Sequence, residues 1–415
     1  MTGERLALLE RFACAGAACE DTCCRGWDMQ VDAAHVTRYR DERPDLLAAV
    51  DPNGGSPVMR RAGPEGTCVM LRGGLCGIHA AEGTDLLGDA CHFFPRATRK
   101  VGGRASMTAS LACPGIARLA LYGEDGASRA PAAFDRLPEG LREVAPDGLT
   151  GEEARAVREA FAALAADPAA APERALLRVV TVARTLTRLP ARDWAGAMGF
   201  LARTVDERLP AADVHPLDAV RLVQTLHGLM AASRHLPSPR LLATVADMER
   251  ATAVRVDPTS LDVWPAGDLQ QAADTLAARR VRHAAALDRL LRRWLGHELA
   301  TAEFPFAGLG ATPEDRATIL AVRFATVRLA LLALATDVAP PAEADAVRAV
   351  QSLARFLGHL ADPTLSLGLY RDAGWLRAGR LAGVVLAHPA EVAGQALPHP
   401  AIPAGRAAEG AAASA

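Results

Sequence analysis

Eight cysteines carry the chemistry of this 415-residue sequence, and all of them lie within its first 113 residues. Four fall in the eleven-residue stretch Cys14-Ala-Gly-Ala-Ala-Cys19-Glu-Asp-Thr-Cys23-Cys24, and four more stand at Cys68, Cys76, Cys91 and Cys113. Thiolates are soft ligands that suit zinc and iron-sulfur clusters, and short separations let one turn of backbone aim several sulfurs at one point. Two other readings compete with metal ligation. Disulfide frameworks belong to short secreted chains in an oxidising compartment; this chain is long, and Met1-Thr-Gly-Glu-Arg-Leu-Ala-Leu-Leu-Glu10 lacks the long apolar run of a signal peptide. Burial as small hydrophobes accounts for one or two thiols, not for eight in one region.

The spacing is C-x4-C-x3-C-C, then C-x7-C, then two single cysteines. It lacks the paired C-x2-C knuckles of a zinc ribbon. It also departs from the C-x3-C-x2-C loop of radical enzymes: Cys19 and Cys23 have the first spacing, but Gly26 stands in the third place. Glu20 and Asp21, inside the cysteine loop, are the nearest acids for proton transfer, or else they tie the ligand loop by hydrogen bonds. His79 and His92 neighbour Cys76 and Cys91 and read as packing or surface residues, with thiols enough for the metal. Trp27, Phe93, Phe94 and Pro95 read as cover over the cysteine segments. Arg96 can hold a carboxylate bidentately or form an ordinary salt bridge. Far along the chain, Arg355 and His359 are four residues apart in a helical stretch and share one face, at the edge of the stripe formed by Val350, Leu353, Ala354 and Leu357. A solvated pair is the plain alternative there.

The elements that must position these residues read as a mainly α fold. Residues 1–122 form a small cysteine-rich region of short irregular elements, 123–150 a linker, 151–392 an all-α helical domain and 393–415 a disordered tail. Asp32 sits where an N-cap belongs, ahead of a helix from Ala33 to Val50 that Pro44 interrupts. The Gly73-Gly74 pair between Cys68 and Cys76 marks a small hairpin. From Glu152 on, apolar residues recur at three- and four-residue intervals, through stretches such as 175–189, 266–302, 314–336 and 342–360. Prolines 190, 210, 216, 237, 239, 258 and 265 mark joints between helices. The formal charge is only −2, which argues against a nucleic-acid binder working by bulk electrostatics. No uninterrupted apolar run suits a membrane span, so a cytoplasmic protein is expected. Lys100 is the sole lysine and reads as part of an exposed turn.

Four blocks, CEDTCCRGW (Cys19 to Trp27), CVMLRGGLCGIH (Cys68 to His79), ACHFFPR (Ala90 to Arg96) and SLACPGIARLAL (Ser110 to Leu121), resemble the flagellin lysine-N-methylase family in order and content. That family is related to small zinc- or iron-chelating domains with a CxxCxxCC signature. Ala302-Glu-Phe-Pro-Phe306 and Val350-Gln-Ser-Leu-Ala-Arg-Phe-Leu-Gly-His359 extend the likeness into the helical half, whereas Gly115 stands where the family pattern has a glutamate. The resemblance implies an enzyme that uses S-adenosylmethionine and a 4Fe-4S cluster to methylate lysine side chains of a protein substrate, flagellin. It places Arg355 against the donor's carboxylate and His359 near the incoming amine. A zinc- or iron-stapled binding module without catalysis is the alternative. No G-x-G-x-x-G fingerprint follows a strand, so the metal and the helical domain would have to bind the donor.

Overall fold

The computed structural model describes residues 2–386, apart from 53–55, 139, 234, 359 and 361. His359 and the tail from 393 therefore lie outside the described residues. In chain order, the elements that frame the site are strand β1 (Thr2–Leu6), helix α1 (Ala33–Glu42), strands β2 (Arg96–Val101) and β3 (Arg104–Ala109), helix α2 (Pro114–Tyr122) and strand β4 (Arg129–Ala133). Then come helices α3 (Gly151–Ala166), α4 (Pro172–Leu186), α5 (Pro239–Ala251), α6 (Ala284–Thr301), α7 (Pro313–Leu334) and α8 (Glu343–Gly358). The fold is mainly α, with its strands concentrated in the N-terminal third.

Local chemistry sets many of these boundaries. Asp32 caps α1 by accepting from the His35 amide. Thr150 and Glu153 form a reciprocal capping box at the start of α3, as do Thr312 and Asp315 at the start of α7. Gly73 and Gly74 take φ of 56° and 82°, both positive as a tight two-residue hairpin turn requires, and they join Leu71–Arg72 to Leu75–Cys76. The single long helix expected over 266–302 is two, broken at His283 between Arg282 and Ala284.

Two hydrophobic cores result. The smaller gathers Met29, Val31, Tyr39, Leu46, Met59, Ile78 and Leu87 around Cys68. The larger runs from Leu6 through Ile116 and Phe161 to Val385, so both ends of the cysteine-rich region pack with the helical part. The stretch read as a linker contributes β4, the edge of a four-stranded sheet in the order β4-β1-β3-β2. β1 runs antiparallel to β4 and parallel to β3. Lys100 lies within β2, half-buried, and not in a turn.

Helix α7 is the hub of the large core and packs against α4, α5, α6 and α8. It is long and apolar enough to cross a membrane, but 83% of its most apolar window is buried by the rest of the fold, as expected of a core helix that is apolar all round. Helix α8 in turn lies against α2, the helix that begins one residue after Cys113.

Candidate metal centre

All eight cysteines are unpaired, and the fold sorts seven of them into two sets. Cys24, Cys68, Cys76 and Cys91 line one small cavity together with apolar residues including Met29, Tyr39 and Ile78. Backbone pairing brings them there: the Cys68 amide donates to the Cys24 carbonyl at 2.9 Å, the Gly73-Gly74 hairpin turns the chain back to Cys76, and Cys91 rides on the short helix Asp89–Phe93. Asp32 fixes that last piece, since one of its carboxylate oxygens accepts from the Asp89 amide at 2.9 Å while the other accepts from the His35 amide at 3.0 Å. One carboxylate thus holds the starts of two helices. Sequence reading gives Asp32 only the cap of α1, because Asp89 lies 57 residues away.

Electrostatics mark this set as costly without a metal. The Cys24 thiol, hydrogen-bonded to Cys23, is pushed up to about 12. Burial, reinforced by Cys24, Cys76 and Cys68, pushes Cys91 up to about 12 as well. Cys76 is raised by its hydrogen bond with Cys24 and by burial, and Cys68 by burial. Four thiolates in an apolar pocket repel one another and lose solvation, and a cation bound among them removes both penalties.

Cys14, Cys19 and Cys113 form the other set, coupled electrostatically to one another. Cys14 is exposed and the other two are half-buried. Burial raises Cys19 and Cys113. Gly115 beside Cys113 has a packing reason: a Cβ there would meet the Phe12 ring at 3.3 Å. Arg96 stands over that same ring, 5.6 Å from its centroid, so it reaches the Cys113 side of the site. Cys23, exposed and hydrogen-bonded to Cys24, adjoins the first set.

Helix α8 clasps the loop that joins the sets. Gln351 donates its amide nitrogen to Asp21 at 2.8 Å and to the Ala112 carbonyl at 2.9 Å, beside Cys113. Arg355 pairs with Asp21 at 2.7 Å and donates to the carbonyls of Thr22 and Arg25. Its guanidinium also lies 5.5 Å from the Trp27 ring, which packs edge-on against Phe94 at 5.0 Å. The solvated-face alternative for Arg355 is therefore overturned: the residue is 9% exposed, because the cysteine loop covers the edge of the helix on which it lies. Glu20, by contrast, is 37% exposed in its side chain and bridges Arg118 at 2.6 Å and Arg240 at 3.4 Å. Its hydrogen bond from Arg118 holds its carboxyl below the usual range.

A cleft of 270 Å³ opens between this clasp and α5, lined by Asp21, Trp27, Glu65, His235, Ser352 and Phe356 among others. Acids and an aromatic face in one cleft can accept a cationic or aminated side chain. Sequence reading missed Gln351 as the partner of Asp21, and Glu65 and His235 as neighbours of the loop. No local motif marks them.

Comparison with known proteins agrees in direction. No family model and no solved structure matches the chain. A lysine-N-methylase of Salmonella typhimurium is 28% identical over 120 residues, and one of Salmonella choleraesuis 27% identical over the same length; each match covers 26% of this chain and 30% of the relative. The flagellar biosynthetic protein FliU of Salmonella muenchen is 27% identical over 120 residues, covering 71% of that protein. The match spans less than a third of the two methylases. Over about a quarter of its length, then, the chain is similar to two lysine-N-methylases and to a flagellar biosynthetic protein.

Proposed function

We propose that this chain is an iron-sulfur protein lysine N-methyltransferase that takes its methyl group from S-adenosylmethionine and acts on a flagellin-type substrate in the cytoplasm. The observation that carries the reading is the cleft between the clasped cysteine loop and α5, lined by Asp21, Trp27 and Glu65. The relatives named as lysine-N-methylases support it.

The residues present fit a cluster, because three soft sulfur donors, Cys14, Cys19 and Cys113, stand together with the exposed Cys14 on the outside. When bound, such a cluster would supply an iron with a free coordination position for the donor's amino and carboxylate groups. The chain's own residues do the remainder. Lysine has a pKa of about 10.4 in water, so the amine must lose its proton before it accepts the methyl group. Glu65 at the cleft wall and Asp21 behind the loop are the acids that face it. Asp21 is already bonded to Arg355 and Gln351, which makes it the residue that orients the loop, and Arg355 is spent on that same clasp. Trp27, its ring held against the Arg355 guanidinium and Phe94, forms part of the cleft wall.

The test is direct. Protein purified without oxygen is incubated with methyl-labelled S-adenosylmethionine and flagellin from the same organism, and label on flagellin lysines is the expected result. Absence of label with metal fully loaded would return the chain to the metal-stapled binding module.

A further inference from the structure

The eight cysteines do not surround a single point. Cys24, Cys68, Cys76 and Cys91 are walled by the small core, with three of the four half-buried and Cys68 only 5% exposed. Cys113 instead packs against the large core beside Gly115 and Phe12, with Cys14 and Cys19 near it.

We propose that the chain carries two separate metal centres, and that Cys24, Cys68, Cys76 and Cys91 form a closed, structural tetrathiolate site for one zinc or iron ion, distinct from the open three-thiol site. Four ligands complete a tetrahedral shell and leave no position for a substrate, which is the pattern of structural sites. The cavity beside the four sulfurs measures 20 Å³, room for about one water-sized occupant. Apart from Gln30 and Tyr39, whose hydroxyl donates to the Leu86 carbonyl, its surroundings are apolar side chains of the small core. Among the described residues no three sulfurs lie within 4.8 Å of one another. Zn–S bonds of about 2.3 Å place tetrahedral sulfurs about 3.8 Å apart, so the ion draws the hairpin, the Cys24 segment and the Cys91 helix together. The small core is much smaller than the large one, and the pull of the ion supplies folding energy to it.

This proposal rests on the thiols alone and stands whether or not the chain methylates lysine. The full-length protein, purified without oxygen, is analysed for zinc, iron and acid-labile sulfide per chain, as wild type and as two double variants, C14S/C113S and C68S/C91S. The wild type is expected to hold one metal ion beyond the iron matched by sulfide. C14S/C113S is expected to lose the sulfide and keep that one ion, zinc being colourless and tetrathiolate iron red. C68S/C91S is expected to lose the ion, with a lower melting temperature. A C14S/C113S protein stripped of all metal, or a wild type with no metal beyond its sulfide-matched iron, would mean one shared centre and overturn the proposal. Should C68S/C91S be insoluble, the metal content of C14S/C113S decides by itself.

Discussion

The guanidinium of Arg355 lies 2.7 Å from the carboxylate of Asp21, in side chains that are 10% and 9% exposed. Removing one partner of so buried a pair strands the other and costs about 3–5 kcal/mol. Arg355→Ala should therefore lower the urea midpoint and free the loop that carries Cys19 and Cys23. In metal-free protein, Cys19 should then react faster with thiol reagents. Arg355→Lys keeps the charge but cannot serve Asp21 and two carbonyls at once, so it should fall between. A wild-type midpoint and wild-type thiol reactivity in Arg355→Ala would show that the clasp contributes nothing.

Glu303 is fully buried and receives Arg129 at 2.9 Å, Arg158 at 2.7 Å and the Ser106 hydroxyl at 2.6 Å. It pins the four-stranded sheet to α3 and to the end of α6. Glu303→Gln leaves two buried guanidinium groups short of charge, and a loss of about 3–5 kcal/mol is expected in denaturant unfolding. Metal content should not change, since none of the cysteines touches this network. A variant that loses metal but not stability would contradict this account.

Asp32 is held at about 2: burial raises it, but hydrogen bonds from the amides of Asp89 and His35 and from the His35 ring outweigh burial. Its unfolded value is about 3.9. The stabilisation is therefore fully present above about pH 4 and is lost as the pH falls toward 2, a difference of about 2 kcal/mol. Asp32→Asn retains an N-cap for α1 but does not titrate, so its stability should change less across that window. Parallel pH profiles for the two proteins, measured by urea unfolding, would refute the assignment.

How far the sequence discloses this site depends on whether a residue acts locally. The Gly73-Gly74 hairpin and the Asp32 cap were legible, because turn and cap chemistry is written in four or five neighbouring residues. Trp27 was legible as cover for the loop, since it donates to the Cys23 carbonyl only four residues back. The division of the cysteines was not: Cys23 and Cys24 are adjacent in sequence, yet Cys24 faces the small core and Cys23 is exposed. Arg355 looked like the rim of a helix because periodicity ranks a face by its own helix alone. The loop that buries it comes from the opposite end of the chain. β4 escaped for the same reason, as its partner β1 lies more than a hundred residues earlier.

That distance also orders events during synthesis. Gln351 and Arg355 follow Asp21 and Arg25 by 330 residues, which at about 5–20 residues per second leaves the Cys14–Cys24 loop without its fastening for roughly 15–70 s. Cys91, by contrast, emerges soon after Cys24, so the four-thiol set is complete while most of the helical part has yet to be translated. Synthesis thus imposes an assembly order, with the four inner thiols gathered early and the outer thiols held in place last.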